Sequence, residues 1–240
     1  MRITSSLAVL VAAILGAPTA SAQVFHVEPL EKPQSRVFLG VGAEFGVPQR
    51  DFADSVGHSW GVGGSFIYAL DRAGIFGLRL DMNYLRYGHE RDRVPLSATI
   101  GDRILVDVAT DNNIFLASVG PQVLLPRGPF MPYLTGSIGV AYFFTQSSVE
   151  GASDALPFAT TTNFGDASFA WSGAGGVYIA LKQGARPISL DLGARYQSNG
   201  EVQYLRRGSI TDNPDGTISF TPTRSQANMI IYHLGLVFGL

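Results

Sequence analysis

His233-Leu234-Gly235-Leu236-Val237-Phe238-Gly239-Leu240 is the most informative run of residues in the chain. Counted back by twos it gives Leu240, Phe238, Leu236, Leu234, Tyr232 and Ile230, all apolar, with Gly239, Val237, Gly235, His233, Ile231 and Met229 between them. Such alternation describes a β-strand with one fully apolar face. Chain ends usually fray into water, yet this strand stays apolar to its carboxylate. A sheet that turns an apolar face toward hydrocarbon must leave no backbone group unpaired, so it closes on itself through its last strand. The stretch therefore predicts the closing strand of a transmembrane β-barrel.

The other end of the chain points the same way. Arg2 precedes an apolar run, Leu7-Ala8-Val9-Leu10-Val11-Ala12-Ala13-Ile14-Leu15, and Ala20-Ser21-Ala22 is a small–x–small cleavage site. This order predicts a secretory signal over 1–22 and a mature chain beginning near Gln23. The run is too short to cross a bilayer as a helix, and none approaches the roughly 20 apolar residues that a helix needs. A net charge of −2 provides no basic field for nucleic acid. The absence of cysteine excludes a disulfide framework and thiol chemistry. Hydrophobic residues make up 46% of the chain and charged ones 15%, without one long apolar block, which spreads the apolar residues through alternating strands.

After a polar lead-in over 23–35, period-2 alternation begins. It predicts strands at about 37–46, 60–70, 76–87, 113–125, 133–145, 169–181 and 188–198, with the terminal strand as the eighth. The seventh is the clearest: Ile188, Leu190, Leu192, Ala194 and Tyr196 alternate with Ser189, Asp191, Gly193, Arg195 and Gln197. Connections after strands two, four and six are tight, as in Asp71-Arg72-Ala73-Gly74, whereas those after one, three, five and seven are longer and polar. Loop length sorted by parity is expected of a barrel with short periplasmic turns and longer extracellular loops. Phe45, Trp60, Tyr84, Phe144, Trp171, Tyr196 and Tyr232 fall near the loop-side strand ends, and Tyr68, Phe76 and Phe238 near the turn-side ends. Two aromatic girdles at the two interfaces account for that distribution. Asp212-Asn213-Pro214-Asp215-Gly216 is a strong turn cluster between 202–210 and 217–223, and predicts a hairpin rising from strands seven and eight.

On these residues the chain resembles the small outer-membrane β-barrel family, which includes OmpA-type transmembrane domains and OmpX- and OmpW-type proteins. His233, Gly235, Phe238 and Leu240 resemble the family's C-terminal assembly signal, although Leu stands where Phe or Trp usually ends it. Val119-Gly120-Pro121 and the stretch from Pro132 to Gly139 look like its fourth and fifth strands. The resemblance implies an all-β fold: an eight-stranded antiparallel transmembrane β-barrel over 36–240 in a bacterial outer membrane, behind a periplasmic segment at 23–35. It implies a monomer whose partners are outer-membrane lipid and lipopolysaccharide, the barrel-assembly machinery and periplasmic chaperones. Fold alone does not give an activity.

The candidate chemistry lies on the polar faces. Glu44, Arg79, Asp81, Asp191 and Arg195 would point into a lumen just wide enough for side chains to fill. Buried charges must pair, so Glu44 is expected to meet Arg195, and Arg79 to meet Asp81 or Asp191, as a plug; a gate is the sharper alternative. Arg195-Tyr196-Gln197-Ser198-Asn199 resembles the His–x–Ser–Asn stretch of outer-membrane lipid A deacylases, but Tyr196 replaces the base that would activate Ser198. No catalytic, cofactor or metal residues are assigned; His26, His58, His89 and His233 have no ligand spacing. Arg91 and Arg93 are candidates for lipopolysaccharide phosphates. The expected role is structural or surface interaction, with a narrow channel as the alternative and lipid A modification a remote third.

Overall fold

The computed structural model describes residues 35–95, 105–125, 128–151, 157, 159–213 and 217–240. The signal, its cleavage site and most of the lead-in lie outside the described residues. Twelve strands follow in order: β1 (Val37–Pro48), β2 (Ser59–Ala69), β3 (Phe76–Pro95), β4 (Leu105–Leu124), β5 (Phe130–Gly151), β6 (Ala159–Lys182), β7 (Ile188–Asn199), β8 (Glu201–Tyr204), β9 (Ile210–Asp212), β10 (Ile218–Phe220), β11 (Thr223–Gln226) and β12 (Met229–Gly239). Eight of them close a barrel in the order β1-β12-β7-β6-β5-β4-β3-β2, every neighbour antiparallel. The seam is β1 against β12, from Phe38 opposite Gly239 to Pro48 opposite Met229. Leu240 N–H still donates to the Val37 carbonyl at 2.9 Å, so pairing reaches the last residue.

The barrel is turned inside out relative to a soluble one. Val41, Trp60 and Leu134 are 61, 62 and 66% exposed, whereas Arg79 and Asp81 are 5 and 3% exposed. A continuous apolar outer wall around a charged interior is stable only where hydrocarbon is the solvent, and a closed ladder is the β-structure that hydrocarbon tolerates. The alternation in sequence thus maps directly onto lipid-facing and lumen-facing sides.

The turn after β2 shows how local chemistry sets the register. Asp71 Oδ1 accepts the Phe76 N–H at 2.7 Å, and Oδ2 accepts the Ala73 N–H at 3.1 Å. Gly74 takes φ 70, a left-handed conformation that glycine adopts at little cost. The Phe76 N–H chiefly holds the Asp71 carboxyl below its ordinary value. Because the folded value is depressed, the turn's stabilisation is complete above the unfolded-state value and is lost as pH falls through the folded one. Asp71→Asn should therefore weaken the turn at neutral pH and flatten its acid dependence, as read by amide exchange at Ala73 and Phe76.

Two features exceed the sequence expectation. The strands expected to end at 87 and 145 continue to Pro95 and Gly151, and those expected to begin at 113 and 169 begin at Leu105 and Ala159. Much of what reads as polar loop is thus strand: β3 to β6 have 20, 20, 22 and 24 residues, while β1, β2, β7 and β12 have 12, 11, 12 and 11. About 9–11 tilted residues cross a bilayer, so β3–β6 rise well above it as a four-stranded sheet. The hairpin above strands seven and eight forms as two short ladders, β8 with β11 and β9 with β10.

Candidate functional site

The lumen gathers the chain's buried polar chemistry. Residues two apart on a strand share a face, which places Arg79, Asp81 and Asn83 of β3 in one inward row and Asp191, Arg195 and Gln197 of β7 in another. Arg79 Nε donates to Asp81 Oδ1 at 2.8 Å. Its Nη1 donates to Gln122 Oε1 at 3.2 Å and to Tyr178 Oη at 2.8 Å, and its Nη2 lies 3.9 Å from Asp191 Oδ2. Arg195 Nη2 lies 3.2 Å from Asp81 Oδ1, and its Nη1 donates to Asn83 Oδ1 at 3.1 Å. The expected pair of Glu44 with Arg195 is not formed. Asn83 stands between them, donating from Nδ2 to Glu44 Oε1 while accepting from Arg195. The geometric reason is that the Arg195 fork is divided between Asp81 and Asn83 and donates no N–H to Glu44.

Other members of the network carry no charge signal in the sequence. Tyr133 Oη donates to Asp191 Oδ1 at 2.8 Å and lies 2.9 Å from His233 Nε2, which is itself 3.1 Å from Asp191 Oδ1. Tyr133 stacks on Tyr178 at 4.5 Å between ring centroids, and the Arg79 guanidinium lies 5.4 Å from the Tyr133 centroid. His233 has room because Gly193 faces it: a Cβ there would fall 2.5 Å from the imidazole Cε1. Glu44, Asp81, Asp191, Arg195 and His233 border a cavity of about 30 Å³, room for one or two waters.

Apolar clusters close this polar layer at both ends. Below it, Ile67, Tyr133, Tyr178 and Val237 pack with Phe38, Leu124 and Met131. Above it, Leu85, Ile114, Leu116, Phe143, Met229 and Ile231 line the mouth. Phe52, from a short 3₁₀ turn at Arg50–Phe52, enters that mouth together with Val202 and Tyr204 of β8. Neither stopper is legible from the alternation of the membrane strands, because Phe52 sits on a loop turn and Val202 and Tyr204 on a short hairpin strand above the barrel.

The remaining candidates sit apart. His233 and Gly235 of the C-terminal signal face the lumen, while Leu240 is exposed on the outer wall and Phe238 is half-buried opposite Leu39 and Ile188. Ser198 Oγ donates to Asn228 Oδ1 at 3.2 Å, and among the described residues no His, Asp or Glu is hydrogen-bonded to it. His58 stacks on Phe45, and His89 Nδ1 lies 2.7 Å from Asp111. Arg91 pairs with Asp107 at 3.1 Å and Glu150 at 2.8 Å, and Arg93 pairs with Asp107 at 3.0 Å. The Arg93 hydrogen bond is the main reason that the Asp107 carboxyl lies below its ordinary value. Arg86 pairs with Asp111 at 3.2 Å and lies 5.1 Å from the Trp60 centroid, just above the belt. Three arginines (Arg86, Arg91, Arg93) thus face three carboxylates (Asp107, Asp111, Glu150), and a phosphate would have to displace those partners.

No family model matches the chain, and no curated protein matches it either. Solved structures do. Ail, the attachment invasion locus protein of Yersinia pestis, aligns at 11% identity and TM-score 0.45, over 86% of this chain and 99% of that one. Neisserial surface protein A aligns at 15% and 0.45, over 85% and 97%. OprG from Pseudomonas aeruginosa aligns at 11% and 0.41, over 86% and 97%. Identities and scores this low leave the assignment of the fold to the strand pairing itself. That pairing, the outward apolar wall and the polar filling make the chain an eight-stranded antiparallel transmembrane β-barrel.

Proposed function

We propose that the barrel is a closed surface platform that contacts extracellular partners through the sheet and loops above the bilayer. One observation carries the reading: β3–β6 continue their ladders far past the membrane rungs, to Pro95 opposite Leu105, Val106 opposite Gly151 and Val149 opposite Ala159. A chain that needed only an anchor would end those strands with their neighbours. Among the described residues the projecting sheet has two unpaired edges of different character. The upper β3 edge carries His89, Glu90, Arg91, Asp92 and Arg93, charges that discourage edge-to-edge pairing. The upper β6 edge, Ala159-Thr160-Thr161-Thr162, is exposed and uncharged and is the more receptive of the two. The filled lumen argues against the channel reading. Lipid is the barrel's solvent in this reading, and lipopolysaccharide its neighbour in the outer leaflet.

The test is adherence of bacteria displaying the full chain to extracellular-matrix proteins. A variant cut back to the rungs Arg86–Asn113 and Phe144–Gly165 is the comparison. With the barrel intact by heat-shifted gel migration, adherence should be lost; equal adherence would overturn the proposal. Planar bilayers holding the refolded mature protein should stay silent, and reproducible conductance steps would move the assignment to a channel.

A further inference from the structure

The guanidiniums and carboxyl groups of the lumen do not match in number. Arg79 and Arg195 supply two guanidiniums; Glu44, Asp81 and Asp191 supply three carboxyl groups. Both guanidiniums are committed to the aspartates, Arg79 to Asp81 and Asp191 and Arg195 to Asp81, so the two charges of each sign cancel. Glu44 is the surplus. It is 7% exposed, and among the described residues it is the one lumen carboxyl group that no guanidinium touches. An unpaired buried carboxylate is among the costliest groups a fold can hold, and the usual outcome is neutralisation.

The two oxygens of Glu44 differ in a way that fits neutralisation. Oε1 accepts the Asn83 amide, as a carbonyl oxygen does, whereas Oε2 is buried without a hydrogen-bond partner and its residue borders the cavity. Among the described residues no cation pairs directly with Glu44; Arg195 of β7 acts on it only across Asn83. β5 and β6 contribute the phenols Tyr133 and Tyr178, turned to Asp191 and Arg79. Across the seam on β12, His233 stands directly opposite Glu44, but its Nε2 is directed at Tyr133 and Asp191. β2 and β4 offer Ser65 and Gln122, neither of which titrates.

We propose that Glu44 is a proton-binding site of the lumen: at neutral pH it is a carboxylic acid whose Oε2–H faces the cavity beside the β1–β12 seam. Loss of that proton on raising the pH leaves a net negative charge in the closed interior, at the rung where the first strand meets the last. The seam is therefore strongest while the proton is held and weakens as it leaves.

The experiment is infrared spectroscopy of the refolded, full-length mature barrel at neutral pH, with and without carboxyl-labelled glutamate. The expected result is a protonated-carboxyl band that shifts with the label and vanishes as the pH is raised. Its absence at neutral pH would overturn the proposal, including the case in which His233 holds the proton, since an imidazole gives no such band. Glu44→Gln, the neutral isostere, provides the second readout. The wild-type unfolding midpoint in urea should fall between neutral and alkaline pH, and that of E44Q should stay flat over the same range. An E44Q barrel that keeps the wild-type alkaline loss would also overturn it.

Discussion

Replacing Arg79 with alanine is expected to cost the folded barrel about 3–5 kcal/mol, the usual result of removing one partner from a buried ion pair. Its guanidinium satisfies Asp81, Gln122 and Tyr178 by hydrogen bonds and lies within ion-pair distance of Asp191. Without it, among the described residues Asp81 keeps Arg195 alone, while Asp191 keeps Tyr133 and His233. The loss is the desolvation of carboxylates that stay behind, more than the Coulomb energy of the pair itself. Arg79→Lys should fall between the two, because an ammonium keeps the charge but cannot serve Asp81, Gln122 and Tyr178 with a planar fork. Urea unfolding in vesicles, followed by heat-shifted gel migration, measures both. A variant as stable as the wild type would mean that water solvates the aspartates and that the network is not a plug.

The plug is half legible in the sequence, for a physical reason. Side chains alternate across a strand, so period 2 sets Glu44, Arg79, Asp81, Asp191 and Arg195 on the face opposite the apolar residues, and hydrocarbon outside turns that face inward, without knowledge of the partner strands. Their pairing does not follow, because it depends on register and on which side chain reaches first. Arg195 meets Asp81 and Asn83, and Glu44 receives an amide in place of a guanidinium. Neither Tyr133 nor His233 is legible as a member of this network, because each lies between outward neighbours on a strand whose character is set by its apolar residues. The membrane rungs are legible because hydrocarbon enforces alternation there. Above the bilayer water is present on both sides, and Thr160, Thr161 and Thr162, or Glu90, Arg91 and Asp92, read as loop while continuing as strand.

Phe52→Ala should open the extracellular mouth without opening the barrel. Phe52 is 0% exposed and meets Tyr204 at 5.1 Å and Phe143 at 6.0 Å, both nearly edge-on, and Tyr87 at 5.9 Å. Deleting a buried phenyl ring typically costs about 3–5 kcal/mol. Here the ring sits on a loop, held by side-chain packing and the turn bonds from Ala53 N–H to the Arg50 carbonyl and from Ser55 N–H to the Phe52 carbonyl. The cost should therefore appear locally: amide exchange rises over 50–56 and 201–205, while the seam from Phe38 to Pro48 stays protected. Tyr204, which packs edge-on against Phe52, should loosen with it, and the β8–β11 ladder should weaken in turn. The bilayer should nevertheless remain silent, because the Arg79–Asp81–Arg195 layer and the Tyr133–Tyr178 base still lie below the opened mouth. Conductance from this single change would place the only barrier at the mouth and make the charged layer permeable, and surface contact would then no longer be the sole reading of the fold.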